Sequence, residues 1–386
     1  MPEINHHTKV VNNMNDRILL ATPHMSAEGY EMEYIQDAFA KNWVAPLGEN
    51  VNEFEKAMAG YLNHEHTVAL SAGTAALHLS MILAGVKAGD LVFCQDLTFA
   101  ASANPITYLG AEPVFIDSDR DTWNMDPNAL EKAFELYGKP AAVVVVHLYG
   151  NPAKMDQIVA ICEKHGVPLI EDAAEALGST YNGKKCGTFG NYGILSFNGN
   201  KIITTSGGGM LICQNETDAK HALKLATQAR EPFPWYQHEE IGFNYRMSNI
   251  CAGIGRGQMK VLPKRVEQKR AIFQRYAENL KDLPLTFQPE NSKGESNRWL
   301  SVILLEKDCG VTAMQVLDAL AADNIEGRPV WKPMHAQPVY ASTKFVAVED
   351  ESVSLELFGR SVCLPSDTKL TFADVDRICN VIKSLF

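Results

Sequence analysis

A single lysine among small polar residues is the first candidate for covalent chemistry. Lys201 follows the run Ser196–Asn200, and the glycine-rich run Ser206–Gly209 comes shortly after it. Most lysines are solvated surface charges, but these neighbours offer the stem of the side chain little apolar surface to cover. A lysine in a partly dry pocket loses its proton more easily and can attack a carbonyl group. The pattern therefore makes Lys201 a candidate nucleophile and base.

Two further polar positions stand at junctions between predicted elements. Asp172 ends an apolar strand. Open α/β sheets bind their ligands there, and a carboxylate can hold a protonated heterocyclic nitrogen. Gly73 and Thr74 lie between a strand and a helix, where free amides and the helix dipole favour a phosphate. Each position also has an ordinary interpretation, because Asp172 could cap the next helix and Thr74 could be an N-cap. From these residues alone, both interpretations stay open.

The elements that would position these residues alternate between strands and helices. Asp126-Pro127 is a typical helix start and Gly166 a typical helix end. Strands are predicted at 67–70, 91–94, 113–116, 142–147 and 167–170, with helices at 74–83, 100–109, 127–136 and 155–165. Alternation of this kind requires crossover connections, so it predicts a mainly parallel sheet covered by helices on both faces.

The chain is expected to have three parts. Residues 1–30 are predicted to form an N-terminal arm and residues 31–262 a large α/β domain. A long polar helix over 263–280 then begins a smaller C-terminal α+β domain, residues 263–386. The length of 386 residues allows this division, since domains commonly hold about 100–200 residues.

Composition and charge exclude several classes of protein. Hydrophobic residues make up 46% and charged residues 21% of the chain, which excludes disorder and a collagen-like fold. The net charge of −11 argues against nonspecific nucleic-acid binding. The longest apolar run, 141–146, is far shorter than the ~20 residues that span a bilayer, and no signal peptide is evident. Eight cysteines without a CxxC pair indicate reduced thiols. We therefore expect a cytoplasmic protein with no nucleic-acid or membrane partner.

Two other patterns imitate binding motifs. Gly253–Gly257 has glycines at alternate positions, but it follows no strand and has the wrong spacing for a dinucleotide-binding loop. His64, Glu65 and His66 are metal-ligating residue types, but successive side chains do not converge on one ion without further ligands. We expect an exposed turn there and no metal site.

Six ordered segments carry a family resemblance. They are 45–49, 71–79, 98–102, 171–178, 196–210 and 242–249. Together they resemble the sugar aminotransferases of the DegT/DnrJ/EryC1/StrS family, from about Leu19 to the end of the chain. These enzymes depend on pyridoxal 5'-phosphate (PLP). The resemblance implies the PLP-dependent transferase fold of type I, similar to aspartate aminotransferase, with a large, mainly parallel sheet domain and a smaller C-terminal α+β domain.

The resemblance also implies roles for matching residues. Lys201 is implied to bind PLP covalently, and Asp172 to pair with the pyridine nitrogen so that the ring can accept electrons. The other implied cofactor contacts are the phosphate ligands Gly73, Thr74 and Ser196, the ring-stacking Phe99, and Asn198.

Two further residues of the cofactor site are special cases. Asn244 is implied to reach the cofactor phosphate of a second subunit, which implies a homodimer with shared active sites. Glu175 stands where many relatives carry His or Gln beside the ring, so the resemblance places it at the site without assigning it a role.

Finer strings resemble the subgroup of the diacetylbacillosamine pathway. They lie at 149–151, 196–205, 228–231, 297–300 and 328–335. Members of that subgroup use L-glutamate to aminate the C4 ketone of a UDP-linked 2-acetamido-2,6-dideoxy-4-ketohexose, a bacterial glycan precursor. The resemblance therefore implies these two substrates. Candidate nucleotide or diphosphate contacts are Arg230, Arg246, Arg328 and His335, and each could equally serve a structural ion pair.

Four alternative functions differ from this expectation. Related dehydratases that act at C3 carry His where this chain has Lys201, which makes that alternative weak. Amination of another nucleotide sugar, as in GDP-perosamine or TDP-amino sugar synthesis, depends on loop residues and is not ranked by physical reasoning. A noncatalytic PLP-binding regulator would not need both Lys201 and Asp172. An NAD-dependent oxidoreductase would need a strand-linked GxGxxG loop, which is missing.

Overall fold

A computed structural model describes residues 16–386, so residues 1–15 of the predicted arm lie outside the described residues. Local sequence explains several helix ends. The side chain of Asp126 accepts a hydrogen bond from the Asn128 amide at 2.8 Å, and Gly166 ends a later helix with a left-handed φ of 62°. The helices are α1 (Tyr30–Ala40), α2 (Glu49–Leu62), α3 (Gly73–Leu83), α4 (Asn104–Tyr108), α5 (Pro127–Tyr137), α6 (Met155–His165), α7 (Glu216–Ala226), α8 (Asn249–Met259), α9 (Leu262–Leu280), α10 (Ala313–Ala322), α11 (Val353–Arg360) and α12 (Phe372–Lys383).

Most of the strands are short and buried. They are β1 (Thr67–Leu70), β2 (Leu91–Gln95), β3 (Glu112–Ile116), β4 (Ala142–Val146), β5 (Leu169–Asp172), β6 (Thr180–Tyr181), β7 (Lys184–Lys185), β8 (Tyr192–Ser196), β9 (Gly209–Cys213), β10 (Leu285–Phe287), β11 (Gly294–Glu295), β12 (Ser301–Leu305), β13 (Arg328–Pro329), β14 (Lys344–Val346) and β15 (Ser361–Leu364).

The largest sheet contains eight strands in the order β1-β9-β8-β5-β4-β2-β3-β14. Neighbours from β14 to β8 are parallel, whereas β9 is antiparallel to both β8 and β1. The prediction of a mainly parallel sheet is confirmed. Because β5 and β8 are parallel neighbours, their last residues, Asp172 and Ser196, lie at the same edge of the sheet.

A second, antiparallel sheet forms from later parts of the chain, in the order β10-β12-β15-β13. Apolar side chains of α9 and α12, such as Ile272 and Ile378, pack with Ile303 of β12 in one core cluster. Two contacts connect residues that were predicted to belong to different parts of the chain. β14 joins the edge of the large sheet beside β3, and the Leu20 carbonyl accepts a hydrogen bond from the Ser366 amide at 2.7 Å. The domain boundaries at 30 and 262 stay a prediction.

The glycines of the apparent dinucleotide motif lie inside α8. A Cβ on Gly255 would stand 2.8 Å from the ring of Phe54, and one on Gly257 would stand 2.6 Å from the amide nitrogen of Glu31. These glycines let α8 pack closely against α1 and α2, since any larger residue would clash there. The motif therefore has a packing role in this fold.

Two expectations drawn from composition concern the cysteines and membrane-spanning helices. All eight cysteines are free, and six of them are buried, in accordance with reduced thiols. Within residues 16–386, none of the helices has the length and apolar character that crossing a membrane requires.

Candidate active site

A cavity of about 300 Å³ opens at the carboxyl ends of β5 and β8, beside the start of α3. Other walls come from the loop that carries Lys201 and from two tryptophans, Trp299 and Trp331. The predicted cofactor residues that line it are Gly73, Thr74, Phe99, Asp172, Glu175, Ser196, Asn198 and Lys201. Residues that are scattered over more than 120 positions of the sequence thus meet in one pocket.

Lys201 is enclosed and is not a surface charge. Its side chain is 14% exposed, and Nζ lies 3.6 Å from Oε1 of Glu175 and 4.2 Å from the ring centroid of Trp299. The backbone turns sharply here, because the Lys201 amide donates to the Asn198 carbonyl at 2.9 Å. An amino group held in this way is available to a ligand in the pocket.

Asp172 is buried and keeps acceptor capacity for a ligand. One carboxylate oxygen accepts a hydrogen bond from the Ser102 hydroxyl at 2.7 Å, and the other accepts one from the Ala174 amide at 3.1 Å. Thr98 contacts the Ser102 hydroxyl at 2.7 Å and so fixes its orientation. No helix follows Asp172 directly, which removes the interpretation as a helix cap. Since a carboxylate has about four acceptor sites, Asp172 can still pair with a cation.

Glu175 supplies a second buried carboxylate. Its Oε2 accepts a hydrogen bond from the Tyr149 amide at 2.7 Å. Burial raises the pKa of Glu175 above its ordinary value, although the nearby Lys201 ammonium and the Tyr149 amide act in the opposite direction. Glu175 can therefore exchange a proton beside the amino group of Lys201.

The opposite end of the pocket suits an anion. α3 begins at Gly73 without a side-chain cap and without an acidic residue in its first turn. A Cβ on Gly73 would stand 3.2 Å from Cβ of Ser196, so glycine lets the helix start lie beside the Ser196 side chain. Thr74 and the backbone of Gly207 and Gly208 complete this end. Free amides at a helix N-terminus, together with hydroxyl groups, favour a phosphate.

Phe99 lies at the mouth of the pocket. It is 58% exposed, and its ring centroid is 5.9 Å from that of Trp331. Phe99 therefore does not belong to the hydrophobic core. The open ring face can stack on a planar ligand.

Five predicted residues lie outside the pocket of a single chain. Arg246 pairs with Glu55 and donates to the Ala69 carbonyl at 3.0 Å. Arg328 pairs with Glu326, and His335 contacts Asp96 at 2.7 Å. Arg230 and Asn244 are exposed. A single chain does not bring these five residues together. The substrate roles of Arg230, Arg246, Arg328 and His335 and the cofactor role of Asn244 therefore stay predictions.

Sequence reasoning missed three side chains of the site. Ser102 orients Asp172, Trp299 covers Lys201, and Trp331 lies beside Phe99. All three belong to strings that carry the resemblance: Ser102 to 98–102, Trp299 to 297–300 and Trp331 to 328–335. The strings contained these residues, but no local pattern tells which side chains of a loop face a pocket.

Comparison with known proteins identifies the family. The model of the DegT/DnrJ/EryC1/StrS aminotransferase family matches residues 26–383. The chain belongs to this family. A Bacillus subtilis (strain 168) protein, named provisionally as the pyridoxal phosphate-dependent aminotransferase EpsN, is 52% identical over 379 residues, 97% of each chain. The GDP-perosamine synthase of Caulobacter vibrioides is 37% identical over 364 residues, 94% of this chain and 96% of that one.

Solved structures agree with the fold. A DegT/DnrJ/EryC1/StrS aminotransferase from Brucella abortus has a TM-score of 0.85 at 31% sequence identity. The match covers 92% of this chain and 95% of the Brucella chain. The expectations of an aminotransferase, of fold type I and of PLP as cofactor are confirmed.

PLP fits the residues of the pocket. The uncapped start of α3 with Thr74 and Ser196 would hold the phosphate, Asp172 the ring nitrogen, and Lys201 the reactive carbon. The exposed face of Phe99 would stack on the ring. When bound, PLP supplies an electron sink for breaking the Cα–H bond of an amino acid.

The charge of Asp172 is predicted to be essential. Asp172→Asn keeps the size of the side chain but removes the charge that would hold a protonated ring nitrogen. We expect turnover with glutamate to fall about 10²–10³-fold, the scale of losing one preorganised electrostatic contact, while the thermal unfolding midpoint changes little. Asp126→Asn is the matched control, because Asp126 caps α5, asparagine can also cap a helix, and Asp126 does not line the pocket. Near-normal turnover in Asp172→Asn would show that another residue serves the ring nitrogen.

Proposed function

We propose that this aminotransferase moves the amino group of L-glutamate to the C4 ketone of a UDP-linked 2-acetamido-2,6-dideoxy-4-ketohexose. The product would be UDP-4-amino-4,6-dideoxy-N-acetyl-glucosamine. The observation that carries the amino transfer is the enclosed amino group of Lys201, which lines the same cavity as the buried carboxylate of Asp172. One pocket would serve the amino donor and the keto acceptor in turn.

The residues of the chain would divide the work of proton transfer. Lys201 would move a proton from Cα of glutamate to the cofactor in the first half of the reaction and from the cofactor to C4 of the sugar in the second, a general-base role that suits an enclosed lysine. Glu175, 3.6 Å away, would stabilise the protonated form of Lys201 between these steps. Asp172 would keep its negative charge beside the ring nitrogen. Trp299 and Trp331 would limit access of water, which strengthens these electrostatic interactions.

The strings that resemble the UDP-sugar subgroup meet around Glu175. The Tyr149 hydroxyl accepts a hydrogen bond from the Trp331 amide at 2.8 Å, and the Asn297 side chain donates to the Glu175 carbonyl at 2.8 Å. These residues come from three strings that are far apart in the sequence. Their packing around the position where many relatives carry His or Gln supports membership of the subgroup with this acceptor.

A GDP-linked 4-keto sugar is the second candidate acceptor. The GDP-perosamine synthase of Caulobacter vibrioides is similar to this chain over nearly its whole length. Both candidates present a ketone at C4, so the same Lys201 chemistry would serve either one. They differ in the nucleotide and in the substituent at C2 of the sugar.

A panel of acceptors would test the proposed substrate. Purified protein with PLP and glutamate would be incubated with UDP-, GDP- and TDP-linked 4-keto sugars, and the products identified by mass spectrometry. We expect the highest kcat/KM for the UDP-linked 2-acetamido sugar, by at least about tenfold, which is about 1.4 kcal/mol of transition-state binding. Lys201→Ala should aminate none of them. Preferred amination of the GDP-linked sugar would instead support the second candidate.

We also propose a homodimer whose active sites are shared. Asn244 is exposed in a single chain, and the preceding loop exposes large side chains, with Trp235 at 60%, Tyr236 at 78% and Ile241 at 86%. Such apolar exposure is typical of a surface that another protein covers. In the dimer, Asn244 would reach the cofactor phosphate bound by the partner subunit.

Complementation between two inactive variants would test this sharing. In a mixed dimer of Lys201→Ala and Asn244→Asp chains, one site collects both defects and the other collects none. We expect activity to recover toward half of wild type per mixed dimer. Lys201→Ala mixed with Asp172→Asn is the control, because both residues line the pocket of one chain and each mixed site keeps a defect. No recovery in heterodimers with Asn244→Asp would place Asn244 in its own chain's site and contradict the proposal.

A further inference from the structure

A second lysine is buried behind Lys201. Lys269 lies on α9 and is 3% exposed, and no carboxylate among residues 16–386 lies within ion-pair distance of its amino group. Burying an ammonium group without a partner is costly. A methionine would fill similar space in a helix without this cost, so packing alone does not account for a lysine here.

The amino group of Lys269 makes one hydrogen bond, and this bond leads to the active site. Nζ donates to the Trp299 carbonyl at 2.9 Å. The indole N–H of Trp299 donates to the Asn200 carbonyl at 2.8 Å, and the ring centroid of Trp299 lies 4.2 Å from Nζ of Lys201. Trp299 is therefore held from its backbone by Lys269 and from its side chain by the neighbour of Lys201.

The backbone at Trp299 needs this support. The preceding residue, Arg298, has a φ of 54°, in the left-handed region that favours glycine. The Trp299 amide is bound by the side chain of Asn297 at 2.8 Å, and β12 begins only at Ser301. Without Lys269 the Trp299 carbonyl would lose its partner in the core, which costs free energy and would allow the turn to shift.

The surroundings of Lys269 explain how it can remain buried. Lys269 and Lys201 line the same small cavity of about 10 Å³, together with His24, Asn200 and Thr368. Burial lowers the pKa of Lys269 to about 7, against the opposing effect of the Asp367 carboxylate. Near neutral pH a large share of the molecules therefore carries a neutral amine, which still donates a hydrogen bond.

We infer that Lys269 is a positioning residue, which fixes Trp299 against the amino group of Lys201 through the Trp299 carbonyl. The inference rests on the proposed function in so far as Lys201 is the reacting amine. Trp299 forms one wall of the pocket, so a small displacement would misplace or expose Lys201. Lys269 itself does not line the main pocket.

Two substitutions with different donors test this role. Lys269→Met removes the hydrogen-bond donor, whereas Lys269→Gln keeps a neutral N–H donor on a stem one bond shorter. Lys264→Met, on the exposed side of the same helix, is the control. Each apoprotein would be mixed with PLP, and the rate of appearance and the position of the visible absorption band measured by stopped flow. The thermal unfolding midpoint of each apoprotein would be measured alongside.

Lys269→Met should form the band about tenfold more slowly, the effect of about one lost hydrogen bond, and at a shifted wavelength. The rate and band position of Lys269→Gln should be closer to those of wild type, and those of Lys264→Met should equal them. The apoprotein midpoint of Lys269→Met should change little, because the loss of the hydrogen bond to the Trp299 carbonyl is offset by removal of the cost of burying an amine. A wild-type rate and band in Lys269→Met would overturn the inference. The inference would also be wrong if Lys269→Met and Lys269→Gln formed the band equally slowly and had equally lowered midpoints, since the loss of packing alone would then explain both effects. Wild-type protein that forms no covalent bond with PLP would overturn the proposed function itself.

Discussion

Enclosure of one amino group is the constraint on which the rest of this structure depends. In the proposed function, Lys201 needs an enclosed site that a ligand can reach, and this site must also tolerate a charged amino group. The chain meets both needs with a loop that closes the sheet edge, an indole ring on one side of the amine and a carboxylate 3.6 Å away. The parallel pairing of β5 with β8 then places Asp172 and Ser196 along the same edge.

The two ends of the pocket use different kinds of charge. At one end, the pocket offers the side-chain carboxylate of Asp172, oriented by Ser102 and Thr98. At the other end, where we expect the phosphate, the chain offers backbone amides and hydroxyls at the start of α3, and no arginine lines the cavity in the described part of the chain. Helix amides bind an anion without adding a mobile cation near Lys201. A protein with a net charge of −11 can therefore hold an anionic cofactor through local geometry.

Elements with strong local patterns could be predicted from the sequence. β1 and α6 have the predicted bounds, and α3 differs by one residue, because apolar periodicity, an N-terminal glycine turn and Gly166 define them locally. The predicted helix 100–109 is instead a short 3₁₀ turn followed by α4, since Pro105 supplies no amide for a continuous helix. The antiparallel β9 and the edge strand β14 depend on pairing with distant strands, which local patterns do not show.

The residues of the candidate site also differ in how far local sequence predicts them. Lys201, Asp172 and Gly73 stand at junctions between elements, so their types and positions indicate function. Arg246 has an equally suggestive charge, but it pairs with Glu55, which is 191 residues away in the chain.

The most direct test of the proposed mechanism is to identify the lysine that binds the cofactor. Borohydride reduction of the PLP-loaded protein, followed by digestion and mass spectrometry, should find PLP on Lys201 alone and none in Lys201→Ala. An adduct on any other lysine would contradict the account.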